Sequence, residues 1–202
     1  AFYVYLEGEG SDDHGGPYRA IFQTALGEEP NELLGLIEPS PNAKHRFGPD
    51  QDHFVFTGVG YTTALIKHMG RLLGIAGRHR IHVPLTLSTL VWKPFVGDFL
   101  TRSDLDSVDR AMARSLTDIE ADRLDKEEEV NVLREALLWT GGDQGLLKVE
   151  NNQVGIETRK AVIEEIERRY LTRNLHCLEM LYNGVSRILP VELLGLFTSK
   201  EA

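Results

Sequence analysis

Apolar residues recur at intervals of three and four over two long stretches of this chain and cluster over several short ones, which predicts more helix than strand. From Tyr61 to about Ala76, Leu65, Ile66, Met69, Leu72, Leu73 and Ile75 fall on a largely buried helix, within which Gly70 and Gly74 let another backbone approach closely. A second long helix opens at Glu157-Thr158-Arg159-Lys160 and carries Val162, Ile163, Ile166, Tyr170, Leu171, Leu175, Leu178, Met180 and Leu181, until Asn183-Gly184 ends or bends it. Shorter helices are expected after Pro17, over Ser88 to Phe95, and from the capping candidates Thr101 to Asp104 as far as about Ile119, with a last one opening at Pro190. Strands are expected at Phe2 to Leu6, ahead of the turn Glu7-Gly8-Glu9-Gly10, and around Leu36-Ile37-Glu38. Leu137-Leu138-Trp139 and Leu146-Leu147-Lys148-Val149, joined across Gly141-Gly142, read as a hairpin. The acidic run from Asp122 through Glu129 reads as a solvated connection.

The 202 residues suffice for one sizeable domain or a domain with a smaller subdomain, and 42% hydrophobic with 26% charged residues is an ordinary globular balance. A formal net charge of -9 argues against a general phosphate-backbone binder, so no nucleic-acid partner is expected and a basic or polar protein surface fits better. The single cysteine, Cys177, cannot form an intrachain disulfide, and no CxxC pair offers a zinc site, which points to the cytoplasm or nucleus. No run of about 18 apolar residues is present, so no membrane span is expected.

Few residues invite catalytic readings. Cys177 lies between Leu175-His176 and Leu178 inside the expected long helix, so it reads as a small buried hydrophobe rather than a nucleophile. His79 and His82 flank Arg80-Ile81 without the further ligands that a metal needs, and read as a surface turn. Glu9, Asp12 and Asp13 lack the alternating ligands and terminal glutamate of an EF-hand, and the glycines at 8, 10, 15 and 16 lack the lysine of a phosphate cradle. No catalytic residue, metal or cofactor is assigned.

Three segments, in order, resemble the N-terminal lobe of HECT-type ubiquitin ligases. They are Glu7 to Pro17, with its acidic glycine turn and glycine pair; Met69-Gly70-Arg71-Leu72-Leu73-Gly74-Ile75-Ala76 with the later Val83-Pro84; and Thr158-Arg159-Lys160 with Ile188-Leu189-Pro190-Val191-Glu192-Leu193-Leu194. Pro39-Ser40-Pro41-Asn42-Ala43 and Leu90-Val91-Trp92-Lys93 are similar to the large members that carry RCC1-like repeats. The resemblance implies an α+β, mostly helical lobe, with a large subdomain at about 1–105 and 172–202 and a small conjugating-enzyme-binding subdomain at about 106–171.

It also implies a parent enzyme that accepts ubiquitin from a conjugating enzyme as a cysteine thioester and passes it to a substrate lysine, so ubiquitin and a protein substrate are partners through that parent. The family's threonine-cysteine motif appears nowhere before Ala202, so the fragment by itself is expected to be inactive and to serve as the docking module. In the family the docking groove lies at a helix end, a hairpin and the first turns of the long helix. Leu116 and Ile119 match its apolar helix-end positions, and Val162 and Ile166 stand where several members have aromatic residues; the alternative is that these four residues form the core of the small subdomain. The loss of those large anchors opens a competing reading, a non-catalytic helical scaffold or adaptor built on the same lobe.

Overall fold

A computed structural model describes residues 35–57, 63–83, 85–151 and 153–196, together with Ala20 and Phe22. The strand, glycine turn and helix start expected before residue 20 lie outside the described residues. What is described is α+β and mostly helical: β1 (Ile37–Pro39), α1 (Pro41–His45), β2 (Phe54–Phe56), α2 (Thr63–His79), α3 (Thr89–Val96), α4 (Arg102–Val108), α5 (Arg110–Glu120), α6 (Lys126–Thr140), a 3₁₀ turn (Gln144–Leu146), β3 (Val149–Glu150), β4 (Gln153–Val154), α7 (Ile156–Thr172), α8 (Leu175–Val185) and a closing 3₁₀ segment (Val191–Leu196).

These elements bury two apolar clusters. The first gathers Ile37 and Phe56 of the β1–β2 pair, Ile66 and Met69 of α2, Val91 and Phe95 of α3, and Cys177, Leu178 and Leu181 of α8. The second gathers Leu105 and Val108 of α4 with the inner faces of α5, α6 and α7. The antiparallel pairing of Ile37 with Phe56 and Glu38 with Val55 places β2 between the two. Because successive strand residues face opposite ways, Phe56 enters the first cluster and Val55 the second. Helix α3 does the same with Val91 and Leu90.

The first cluster rests on the crossing of α2 and α8. A methyl group on Gly70 would lie 2.2 Å from the Leu181 carbonyl oxygen, and one on Gly184 would lie 2.3 Å from the Lys67 carbonyl oxygen. Glycine at both positions is what allows the two backbones to touch. The close approach expected of Gly70 is therefore made, by a helix more than a hundred residues later in the chain.

Two expected helices are each broken in two. The segment from Thr101 to Ile119 divides at Asp109, whose backbone leaves the helical region and whose carboxylate accepts from the Met112 amide at 3.0 Å, so that it caps α5. Buried Asn42 holds this break: its side-chain amide donates to the carbonyl oxygens of Asp106 and Ser107 at 3.0 Å, and its oxygen accepts from the Arg110 amide at 2.8 Å. The segment from Glu157 to Leu181 divides at Arg173 and Asn174, which separate α7 in the second cluster from α8 in the first.

The stretch 122–140 departs furthest from expectation. What reads as a solvated acidic connection followed by a strand is the helix α6, and the hairpin is β3–β4, a few residues later. Asp125 caps α6 by accepting from the amides of Glu127 and Glu128 at 3.0 and 2.9 Å, and Gly141, at φ +70°, ends it. Three glutamates in the first turn suit the positive end of the helix dipole.

The glycine crossing yields a direct test. Gly184→Ala should cost roughly 1–3 kcal/mol through overpacking, lowering the melting temperature by roughly 2 to 10 °C. Circular dichroism melting measures it, with Gly155→Ala, where a methyl group would meet nothing within 4 Å, as the control.

Candidate partner-binding surface

Leu116, Ile119, Val162 and Ile166 come together, but in the interior. Leu116, Val162 and Ile166 are 0% exposed and Ile119 is 1% exposed. They share one cluster with Val130, Leu133, Ala136 and Leu137 of α6. Of the two readings, exposed patch and subdomain core, the four residues take the core, because α6 supplies its own apolar face to them. A helix face that reads as unpartnered in the sequence is thus partnered within the chain.

The cover is sealed by charge. Glu129 of α6 is 2% exposed, and its carboxylate lies 2.7 Å from Nε of Arg159 on α7. Arg159 also donates to the Ile119 carbonyl oxygen at 3.4 Å and to Asp122 at 3.3 Å, so that it ties the end of α5 to both later helices. Such a pair contributes mainly by fixing where α6 lies, since taking two charges out of water offsets much of their attraction.

The second cluster leaves other apolar groups in solvent. Leu146 of the 3₁₀ turn, Val149 of β3 and Ile156 at the first position of α7 are exposed, Ile156 to 76%. Leu138 and Trp139, at the end of α6, are also exposed, and they line a groove of about 710 Å³ with Met112, Val132 and Ala136. The Trp139 ring packs 5.0 Å from that of Tyr170, whose hydroxyl donates to Asp109 at 3.1 Å. Burial, with Asp109 beside it, drives the Tyr170 hydroxyl far above the usual phenol range, so it stays a donor. Leu146 and Val149 read from the sequence as strand residues of a hairpin, and Ile156, between Gly155 and Glu157, has no apolar neighbour that periodicity could register.

The remaining sequence candidates are placed simply. Cys177 is 0% exposed within α8. His79 and His82 are exposed at the end of α2 and just beyond it. Among the described residues, no three His, Cys, Asp or Glu side chains stand close enough to hold a metal ion.

Placement in the core has a measurable consequence. Ile166→Asp would bury an unpaired carboxylate at a cost of several kcal/mol, and should abolish the cooperative melting transition or lower it by more than about 10 °C. Ile156→Asp, at a position open to water, should melt within about 2 °C of the parent. Differential scanning calorimetry on the two variants reads both outcomes.

Comparison with known proteins agrees with this architecture. The profile of the HECT-domain (ubiquitin-transferase) family matches residues 22–202. The E3 ubiquitin-protein ligase HERC2 of Homo sapiens is 28% identical over 206 aligned residues, covering 98% of this chain, and the HERC2 protein of Mus musculus is 29% identical over the same span. The chain spans about 4% of the length of each of these relatives. With nearly its whole length matched, this chain belongs to the HECT-domain (ubiquitin-transferase) family.

Proposed function

We propose that this chain is the conjugating-enzyme-docking part of a HECT ubiquitin ligase, that its second cluster forms the small docking subdomain, and that the parent protein transfers ubiquitin through a cysteine thioester. The observation that carries the reading is the placement of exposed Leu146, Val149 and Ile156 on the 3₁₀ turn, the hairpin and the first turn of the long helix. Hairpin and long-helix start are the elements on which the family resemblance places docking. Leu116, Ile119, Val162 and Ile166 then act as the support beneath that surface rather than as its contacts. By itself the chain forms no ubiquitin thioester in this reading, since its one cysteine is wholly buried.

The scaffold reading rests on the smaller, buried residues Val162 and Ile166 at the positions of the family's aromatic anchors. One set of measurements separates the two. Calorimetric titration against a panel of ubiquitin-conjugating enzymes should yield a binding partner, and Ile156→Asp should weaken that binding by about 2 kcal/mol, as a lost hot spot does, with the melting temperature unchanged. Incubation with activating enzyme, conjugating enzyme and ubiquitin should leave the chain without a reducible ubiquitin adduct. No binding to any member of the panel would favour the scaffold, and an adduct on Cys177 would overturn the assignment of the chain as inactive alone.

A further inference from the structure

A cleft of about 360 Å³ opens between β1 and α1 on one side and the ends of α6 and α7 on the other. Three of its lining residues are cations, Lys44, Arg169 and Arg173, and one is a carboxylate, Glu38. On a chain of net charge -9 this is a local reversal of sign. Arg169 is already engaged, with Glu165 and with the Gly141 carbonyl oxygen, and Arg168 and Arg169 pull the Glu165 carboxyl down to about 2. Lys44 and Arg173 are left to share Glu38. Lys44 Nζ lies 2.5 Å from one of its oxygens, whereas the Arg173 guanidinium stands 4.0 Å from the other, beyond a hydrogen bond.

Arg173 is held in place by two aromatic rings and by the Tyr170 hydroxyl, with Glu38 at the outer limit of an ion pair. Its guanidinium carbon lies 4.8 Å from the centre of the Trp139 ring and 5.6 Å from that of Tyr170. A stacked guanidinium keeps its five donors in one plane, so those not turned to the Tyr170 hydroxyl can still bind a ligand at the edge. The cleft thus holds a positioned arginine and a lysine, with one carboxylate between them.

We propose that this cleft binds the phosphorylated side chain of a peptide, with Glu38 as the internal group that the phosphate displaces. A carboxylate ligand brings no more charge or acceptors than Glu38, which is tethered in place and has the advantage of proximity. A phosphate monoester carries nearly two negative charges and three acceptor oxygens at neutral pH, so it satisfies Lys44 and Arg173 together. The chain's other tryptophan, Trp92, packs against Phe95 in the first cluster, so Trp139 reports on the cleft.

The test follows Trp139 fluorescence in the 202-residue chain carrying Trp92→Phe. The titrants are inorganic phosphate and a tryptophan-free alanine–glycine pentapeptide with phosphoserine, glutamate or serine at its centre. The phosphoserine peptide should give a saturable change and bind at least about tenfold more tightly than the glutamate and serine forms, the gain expected of charge-assisted hydrogen bonds to a dianion. Arg173→Gln and Lys44→Gln should each weaken binding by about tenfold, and Glu38→Gln should tighten it, because the internal competitor is gone. The Lys44 side chain is 44% exposed, so Lys44→Gln keeps the test decisive even where Arg173→Gln does not fold. Equal binding of the serine and phosphoserine peptides, inorganic phosphate binding as tightly as the phosphopeptide, or weaker binding by Glu38→Gln would each overturn the proposal.

Discussion

The contact on which the rest of this lobe depends is the lid that α6 lays across α5 and α7. Leu116 and Ile119 from one side and Val162 and Ile166 from the other meet beneath it, and Val130, Leu133, Ala136 and Leu137 of the lid complete the core. Without the lid, four large aliphatic side chains would face water, at a cost of about 1.5–3 kcal/mol each. The Glu129–Arg159 pair then fixes the position of the lid, and Arg159 reaches from it to the Ile119 carbonyl oxygen near the end of α5. Everything proposed about the surface follows from what this lid covers and what it leaves bare.

What it leaves bare lies at the rim. The turn after α6, the short hairpin and the start of α7 follow one another along the chain and carry Leu146, Val149 and Ile156 outward. The C-terminal ends of α6 and α7 carry Trp139, Tyr170 and Arg173, which stack beside β1 and α1. The exposed apolar residues and the cationic, aromatic cleft are thus made of different residues. The two proposals concern separate surfaces, and each stands without the other.

Much of the first cluster is legible in the sequence. The helices α2 and α3, the strand at Ile37 and the burial of Cys177 follow from local spacing, and Gly70 announces a close neighbour before that neighbour is known. The breaks at Asp109 and at Arg173-Asn174 are not legible, because each depends on a distant group or on a change of core: Asn42 holds the first from more than sixty residues away. The lid was hidden by its charges. Lys126-Glu127-Glu128-Glu129 suggests a solvated linker, although Asp125 with Glu128 three residues on, then Val130, Leu133 and Leu137, then Gly141, spell a capped helix. Without that helix, the spacing of Leu116, Ile119, Val162 and Ile166 fits a binding patch and a subdomain core equally. Periodicity reveals that a face is buried; it does not reveal whether the chain itself or a partner buries it.

The account is tested most directly by methyl NMR spectra of the leucine, valine and isoleucine side chains during titration with a conjugating enzyme that binds. Leu146, Val149 and Ile156 should shift or broaden from the first additions, while Leu116, Ile119, Val162 and Ile166 hold their positions beneath α6. Early shifts at the four buried residues, with those at the rim unmoved, would mean that the lid lifts on binding, and would contradict the account.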